Sequence, residues 1–214
     1  MKEEKDFSLQ TSIDTLVTLH DISGNHFNES GNIPLENSIA ITELDDFNKP
    51  DLLKTAYAQG SILVEVAADH LIAFTRAFTE PVLTISSWTC VRAILESGAI
   101  ASWLLDPKIE RKIRVQRSFA FRYEGLIQQV KFGRSTGDEN NIKDAILRVD
   151  EVEEKALEIG FERVLDKNGK RIGIAMQMPS TTQLVNEILR EESSYRLLSA
   201  IAHAHPWALQ QMSF

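Results

Sequence analysis

Residues Glu192 to Trp207 read ESSYRLLSAIAHAHPW, and this stretch decides how the rest of the chain is read. Its apolar residues recur at three- and four-residue intervals, which predicts a helix running from about Glu191 to Ala204, with Pro206 starting a further turn. Arg196 and His203 are seven residues apart. At about 100° per residue, seven steps return to within roughly 20° of the same face, and Ser199 falls near that stripe. Tyr195, Ser199 and His203 form a second row one turn apart. A cation, a hydroxyl and an imidazole therefore share one side of the predicted helix.

Working outward, the same periodicity predicts a mainly helical chain. A long helix opens at Asp51 after Pro50 and carries Leu53, Ala56, Tyr57, Leu63, Val64, Ala67, Leu71 and Phe74 to about Phe78. Glu80-Pro81 interrupts it. Val82 to Leu105 reads as a second helix, apolar on most sides, and Asp106-Pro107 ends it. A third helix spans Lys108 to about Arg134, with Ile109, Ile113, Phe119, Tyr123, Leu126 and Val130 on its buried face. A fourth, amphipathic helix covers Glu139 to Gly160. Phe161 to Leu165 and Arg171 to Ala175 flank Asn168-Gly169, a strong hairpin signal, so a small β-hairpin is expected as an insertion at about 161–178. Ser180 and Gln183 form a capping box for a short helix. Residues 1–50 read as an acidic, irregular arm, in which Ser12 to Leu19 and Ile39 to Leu44 are brief strands or helices. The bundle domain is then 51–214.

Composition narrows the function classes. The 214 residues are 43% hydrophobic and 25% charged, with a net charge of -8, the profile of an ordinary globule with one good core. The lone cysteine, Cys90, excludes an internal disulfide or a cysteine-based zinc site. The charged start MKEEKDFSLQ is unlike a secretory signal, and the most apolar window, Ala93 to Leu105, contains Glu96 and is short for a bilayer span. A cytoplasmic protein without a membrane partner is expected. The charge is unevenly spread: residues 108–134 carry eight bases against two acids, whereas residues 1–50 carry ten acids against three lysines. Arg114 and Arg117 on the basic helix are candidate phosphate contacts, against the alternative of a solvated charged face. No Glu-x-x-His spacing, phosphate-cradling glycine loop or dinucleotide fingerprint is present, and His203-x-His205 alone is too little for a zinc site, so no metal or cofactor is expected.

Taken in order, Arg92-Ala-Ile-Leu-Glu96, Ser102 to Pro107, Arg114 and Arg117, and then Tyr195, Arg196, Ser199 and His203 resemble the divergent bacterial helical proteins of the HEPN superfamily, some tied to phage defence. The resemblance covers about residues 51–212. It implies a HEPN-like helical bundle and a homodimer with the active cleft at the subunit interface. It also implies a metal-independent endoribonuclease in which His203 takes the 2′-OH proton and Arg196 stabilises phosphoryl charge. Tyr195, Ser199, Arg92 and Glu96 would line that site. Side chains seven residues apart start about 10 Å apart along the axis and lean the same way, so a composite site across two antiparallel motif helices fits better than one within a single chain. Leu197 stands where the family usually has a polar residue. That departure and the overall acidity favour the opposing reading, a catalytically silent module binding a nucleotide or a partner protein. In a purely structural reading, Ser199 and His203 exchange hydrogen bonds in a bundle interior while Arg196 pairs with Glu192, and Arg92 with Glu96 serves the fold.

Overall fold

The computed structural model describes residues 9–30, 34–45 and 47–211. The elements are α1 (Leu9–Ser30), α2 (Ile39–Asp45), α3 (Pro50–Arg76), α4 (Ser86–Leu105), α5 (Arg111–Thr136), α6 (Glu139–Glu158), β1 (Arg163–Leu165), β2 (Arg171–Ile174) and α7 (Thr181–Leu184). A π-helical turn (Val185–Leu189), α8 (Glu192–Ala202) and α9 (Pro206–Gln210) follow. The fold is mainly α with one small antiparallel hairpin, as the periodicity predicts. No helix among the described residues is long and apolar enough to cross a membrane.

The chain divides into two compact units, one of Met1–Ile41, Gly60–Ser102 and Thr181–Phe214, the other of Thr42–Gln59 and Trp103–Ser180. The boundary expected near residue 50 coincides with neither unit's edge. Residues 1–50 also differ from the irregular arm expected of them: within the described part, α1 and α2 are helical. Ile13, Leu16, Val17 and His20 are half-buried at helical spacing, a period that the nearby glycines and asparagines obscure in the sequence.

The second unit is built on α5 and α6. Phe119, Tyr123, Leu126, Val149, Val152 and Ala156 form its core with Leu53, Val115, Phe161 and Ile174. Burying each such side chain contributes about 1.5–3 kcal/mol. The two helices are joined with almost no loop. Gly137 takes the left-handed conformation (φ 72°) that closes α5, and the Asp138 side chain accepts the Asn141 amide at 3.0 Å to open α6. Gly133 lies inside α5. A Cβ there would meet Ile142 Cγ1 at 2.8 Å, so the glycine permits the close approach of α6.

The hairpin forms where Asn168-Gly169 places it, but with a longer turn than that pair suggests. The Asp166 amide donates to the Lys170 carbonyl, Gly169 donates back to Asp166, and the Asp166 carboxylate accepts the Asn168 and Lys170 amides at 2.8 Å each. Gly169 alone supplies the positive φ (76°). This is a type I turn with a glycine bulge rather than a two-residue turn. The strands are held to α6 by Glu153, whose buried carboxylate accepts from Arg163 and Arg171. Tyr123 Oη donates to the Arg171 carbonyl at 3.0 Å.

Candidate functional site

The motif helix, α8, buries Tyr195, Leu198, Ala200 and Ile201 and leaves Arg196 exposed. Ala200 and Ile201 pack with Ala208 of α9, joined by Leu197. Leu197 is therefore used as packing. The helix ends at Ala202, with His203 as its cap (φ -94°) and Ala204 left-handed (φ 53°). The Ala204 amide donates to the Ile201 carbonyl and the His205 amide to Ala200, both at 2.9 Å, the paired bonds of a Schellman turn. The His203 amide still reaches the Ser199 carbonyl at 3.1 Å, so His203 stays on the helical path although it lies past the last helical residue.

Arg196 and His203 are both solvent-exposed, but the guanidinium is turned away from the imidazole's end of the helix. Its Nε and Nη2 donate to Glu192 Oε1 at 2.8 and 2.7 Å. Arg196 lies within α8 and His203 caps its end, and the side-chain contacts do not join them. Ser199 is half-buried. The His203 ring stands edge-on to that of His205, with centroids 6.3 Å apart.

Three other expected site residues do come together. Tyr195 Oη donates to Glu96 Oε1 at 2.8 Å, Arg92 Nη2 donates to the same carboxylate at 2.9 Å, and the Arg92 guanidinium lies over the Tyr195 ring at 5.8 Å. Burial pushes the Tyr195 phenol above its ordinary range, and its bond to Glu96 adds to the shift. Burial works against the Arg92 charge, but its contacts with Tyr195 and then Glu96 more than offset this, so its pKa rises. The group is a polar link between α4 and α8: the Arg92 and Glu96 charges meet each other, Arg92 Nε is buried without a hydrogen-bond partner, and the phenol stays protonated as a donor.

The two candidate phosphate contacts on α5 require correction. Arg114 is fully buried. Its Nε and Nη2 donate to Glu43 at 2.9 and 3.2 Å, Nη1 donates to the Leu104 carbonyl at 2.8 Å, and Nη2 also to the Asp106 carbonyl at 3.1 Å. The guanidinium stacks over Tyr57 at 4.9 Å, and Tyr57 Oη completes the cluster by donating to Glu43 at 2.7 Å. Burial, then the bond to Glu43, drives the Tyr57 phenol well above its usual range. Arg117 donates to the Trp103 carbonyl, lies 5.2 Å over the Trp103 ring and stands 4.0 Å from Asp106. Burial lowers its pKa, with Asp106 opposing. Both arginines are turned into the second unit because they fall on the stripe of Val115, Ser118 and Phe119. Glu43, Tyr57 and Glu153 were missed as polar anchors. The available signal was an arginine at apolar spacing, which demands a buried acid somewhere in the chain.

Among the described residues, no group of three or more His, Cys, Asp or Glu side chains is arranged to hold a metal. The surface hollow lined by Gln129, Asp138, Asn141, Asp144 and Arg148 contains none of the candidate residues. Compared with protein families, curated proteins and solved structures, the chain matches none.

Proposed function

We propose that this chain is a HEPN-like helical module that binds a partner rather than cleaving RNA. The observation that carries the reading is the closure of Arg196 onto Glu192, which leaves His203 without a cation beside it among the described residues. Two further points support it. Arg92 and Tyr195 both donate to Glu96, Arg114 is fully buried, and Arg117 is turned onto Trp103. With a net charge of -8 and two of the eight bases of residues 108–134 turned inward, the electrostatic footprint expected of a nucleic-acid binder is weakened. A protein surface is available instead. Val82, Leu83, Ile85 and Trp88, between α3 and the first turn of α4, are each more than a third exposed. In residues 81–88 there is no charge at all. Two acidic copies repel elsewhere but can meet there, and an uncharged apolar patch is self-complementary about a two-fold axis. A homodimer through this connector is the partner we expect. Light scattering tests it: a dimer that Leu83→Asp turns into a monomer supports the reading, and a monomeric wild type refutes it.

The endoribonuclease remains as a second reading because of one observation. The Arg196–Glu192 pair is exposed and one helical turn long, and such pairs hold by only about 0.3–0.5 kcal/mol. An RNA phosphate is a strong enough competitor to draw the guanidinium away. His203, exposed at the helix end, would then serve as base across a dimer interface that includes α8. Cleavage of mixed RNA in EDTA, lost in both Arg196→Ala and His203→Ala, is the result that would establish this reading.

A further inference from the structure

Asn168 is the only asparagine that a glycine follows in the sequence, and the hairpin carries that pair at its tip. Asn168 and Gly169 are both exposed, and the Asn168 carboxamide takes no part in the bonds that shape the turn. An asparagine in front of a glycine is chemically labile for a steric reason: with no Cβ on the second residue, little hinders its backbone nitrogen from reaching the asparagine Cγ. That attack forms an N–Cγ bond, expels the side-chain nitrogen as ammonia and leaves a five-membered succinimide. Water then opens the ring at either carbonyl. One opening gives an aspartyl residue, the other an isoaspartyl residue whose main chain runs through the side-chain methylene. The turn opposes the first step. The Gly169 nitrogen, which is the nucleophile, donates its hydrogen to the Asp166 carbonyl at 3.0 Å, and the Asp166 carboxylate holds the Asn168 and Lys170 amides on either side of it at 2.8 Å each. The second central residue of a type I turn has ψ of about 0°, which turns the next nitrogen toward that residue's own nitrogen and away from its Cβ.

We propose that Asn168 is a deamidation site that the hairpin turn holds in check, with the Asp166 carboxylate setting the rate. Opening of the turn releases the Gly169 nitrogen, and succinimide formation then competes with reclosure. The products do not restore the same turn. Each adds a second carboxylate where that of Asp166 already organises the backbone, and the isoaspartyl form lengthens the main chain between β1 and β2. The bond from the Asp166 amide to the Lys170 carbonyl then loses its register, one residue before the Arg171 that ties the hairpin to Glu153. The inference rests on neither reading of the function.

The test is peptide mapping by mass spectrometry of the full chain aged in mildly alkaline buffer. Asn168 should gain the mass of an amide turned carboxylate and resolve into two peaks, the aspartyl and isoaspartyl forms. In urea, where the turn is gone, Asn168 should react faster than in buffer and ahead of every other asparagine. Asp166→Ala in buffer should react faster than the wild type by roughly tenfold or more, the shift in the opening equilibrium that follows loss of a hydrogen bond to a charged group. Asp166→Asn, which keeps one acceptor oxygen, should fall between the two, and it carries the comparison if circular dichroism shows Asp166→Ala to be unfolded. Any of three results overturns the proposal: no mass gain at Asn168 in urea, equal rates for the wild type in buffer and in urea, or folded Asp166 variants that react no faster than the wild type. None of these readouts depends on RNA cleavage or on dimerisation.

Discussion

Arg114 shows what a buried charge requires of a fold. Its guanidinium is inaccessible, so the Glu43 carboxylate and two backbone carbonyls must be in place before it can leave water. Removing one partner leaves the other charge stranded. Arg114→Ala and Glu43→Ala are therefore each expected to destabilise the chain by about 3–5 kcal/mol, read as a shift in urea midpoint; a loss under about 1 kcal/mol would show that the pair is not buried as described. Arg114→Lys should rescue little, because one ammonium cannot serve a forked carboxylate and two carbonyls together. Ala204 is the opposite case. It holds a left-handed conformation (φ 53°) that glycine adopts freely. Ala204→Gly should therefore stabilise by roughly 0.5–1 kcal/mol, visible as a higher melting temperature, whereas an unchanged or lower one would mean that the turn is not the Schellman geometry.

At the scale of elements, the hairpin and α6 form one device through Glu153. The carboxylate is buried, which alone would raise its pKa, but its bonds to Arg171 and Arg163 win and hold it below its ordinary value of 4.5. A folded pKa below the unfolded one gives stability that is fully present above the unfolded value and is lost as pH falls through the folded value. Denaturation midpoints measured from neutral pH down through the carboxylate range should fall less steeply in Glu153→Gln than in the wild type. Parallel curves would place that linkage elsewhere. Gly173 is the hairpin's tight point, since a Cβ there would meet the Met176 carbonyl oxygen at 2.5 Å. Gly173→Ala should cost about 1–3 kcal/mol, measured by the same unfolding curves. Elements of this kind were legible in advance to different degrees. Helices α3, α5, α6 and α8 and the hairpin show in the sequence because their apolar residues keep a strict period and are bounded by Pro50, Asp106-Pro107, Gly137 and Pro206. Helix α4 begins at Ser86 rather than Val82 because Glu80-Pro81 is followed by residues that stay exposed. The candidate site was legible only as spacing. Spacing places Arg196 and His203 on one helix but cannot say that Glu192 takes the guanidinium, that the helix stops at Ala202, or that Arg114 turns inward to an acid 71 positions away. Those outcomes depend on partners remote in the chain or on competition among neighbours of equal reach.

For the whole molecule, two compact units and an uneven charge distribution frame the function. Ten of the 31 acids lie in residues 1–50, two of the central arginines are turned inward, and residues 81–88 form an uncharged, exposed apolar connector. The central claim is that this chain binds and does not cleave. The most direct measurement is cleavage of mixed, labelled RNA in EDTA by wild type, Arg196→Ala and His203→Ala, at a protein concentration where light scattering has fixed the oligomeric state. The account predicts no product above the protein-free control in any of the three. Cleavage by the wild type that both variants lose, with their folds intact, would contradict it.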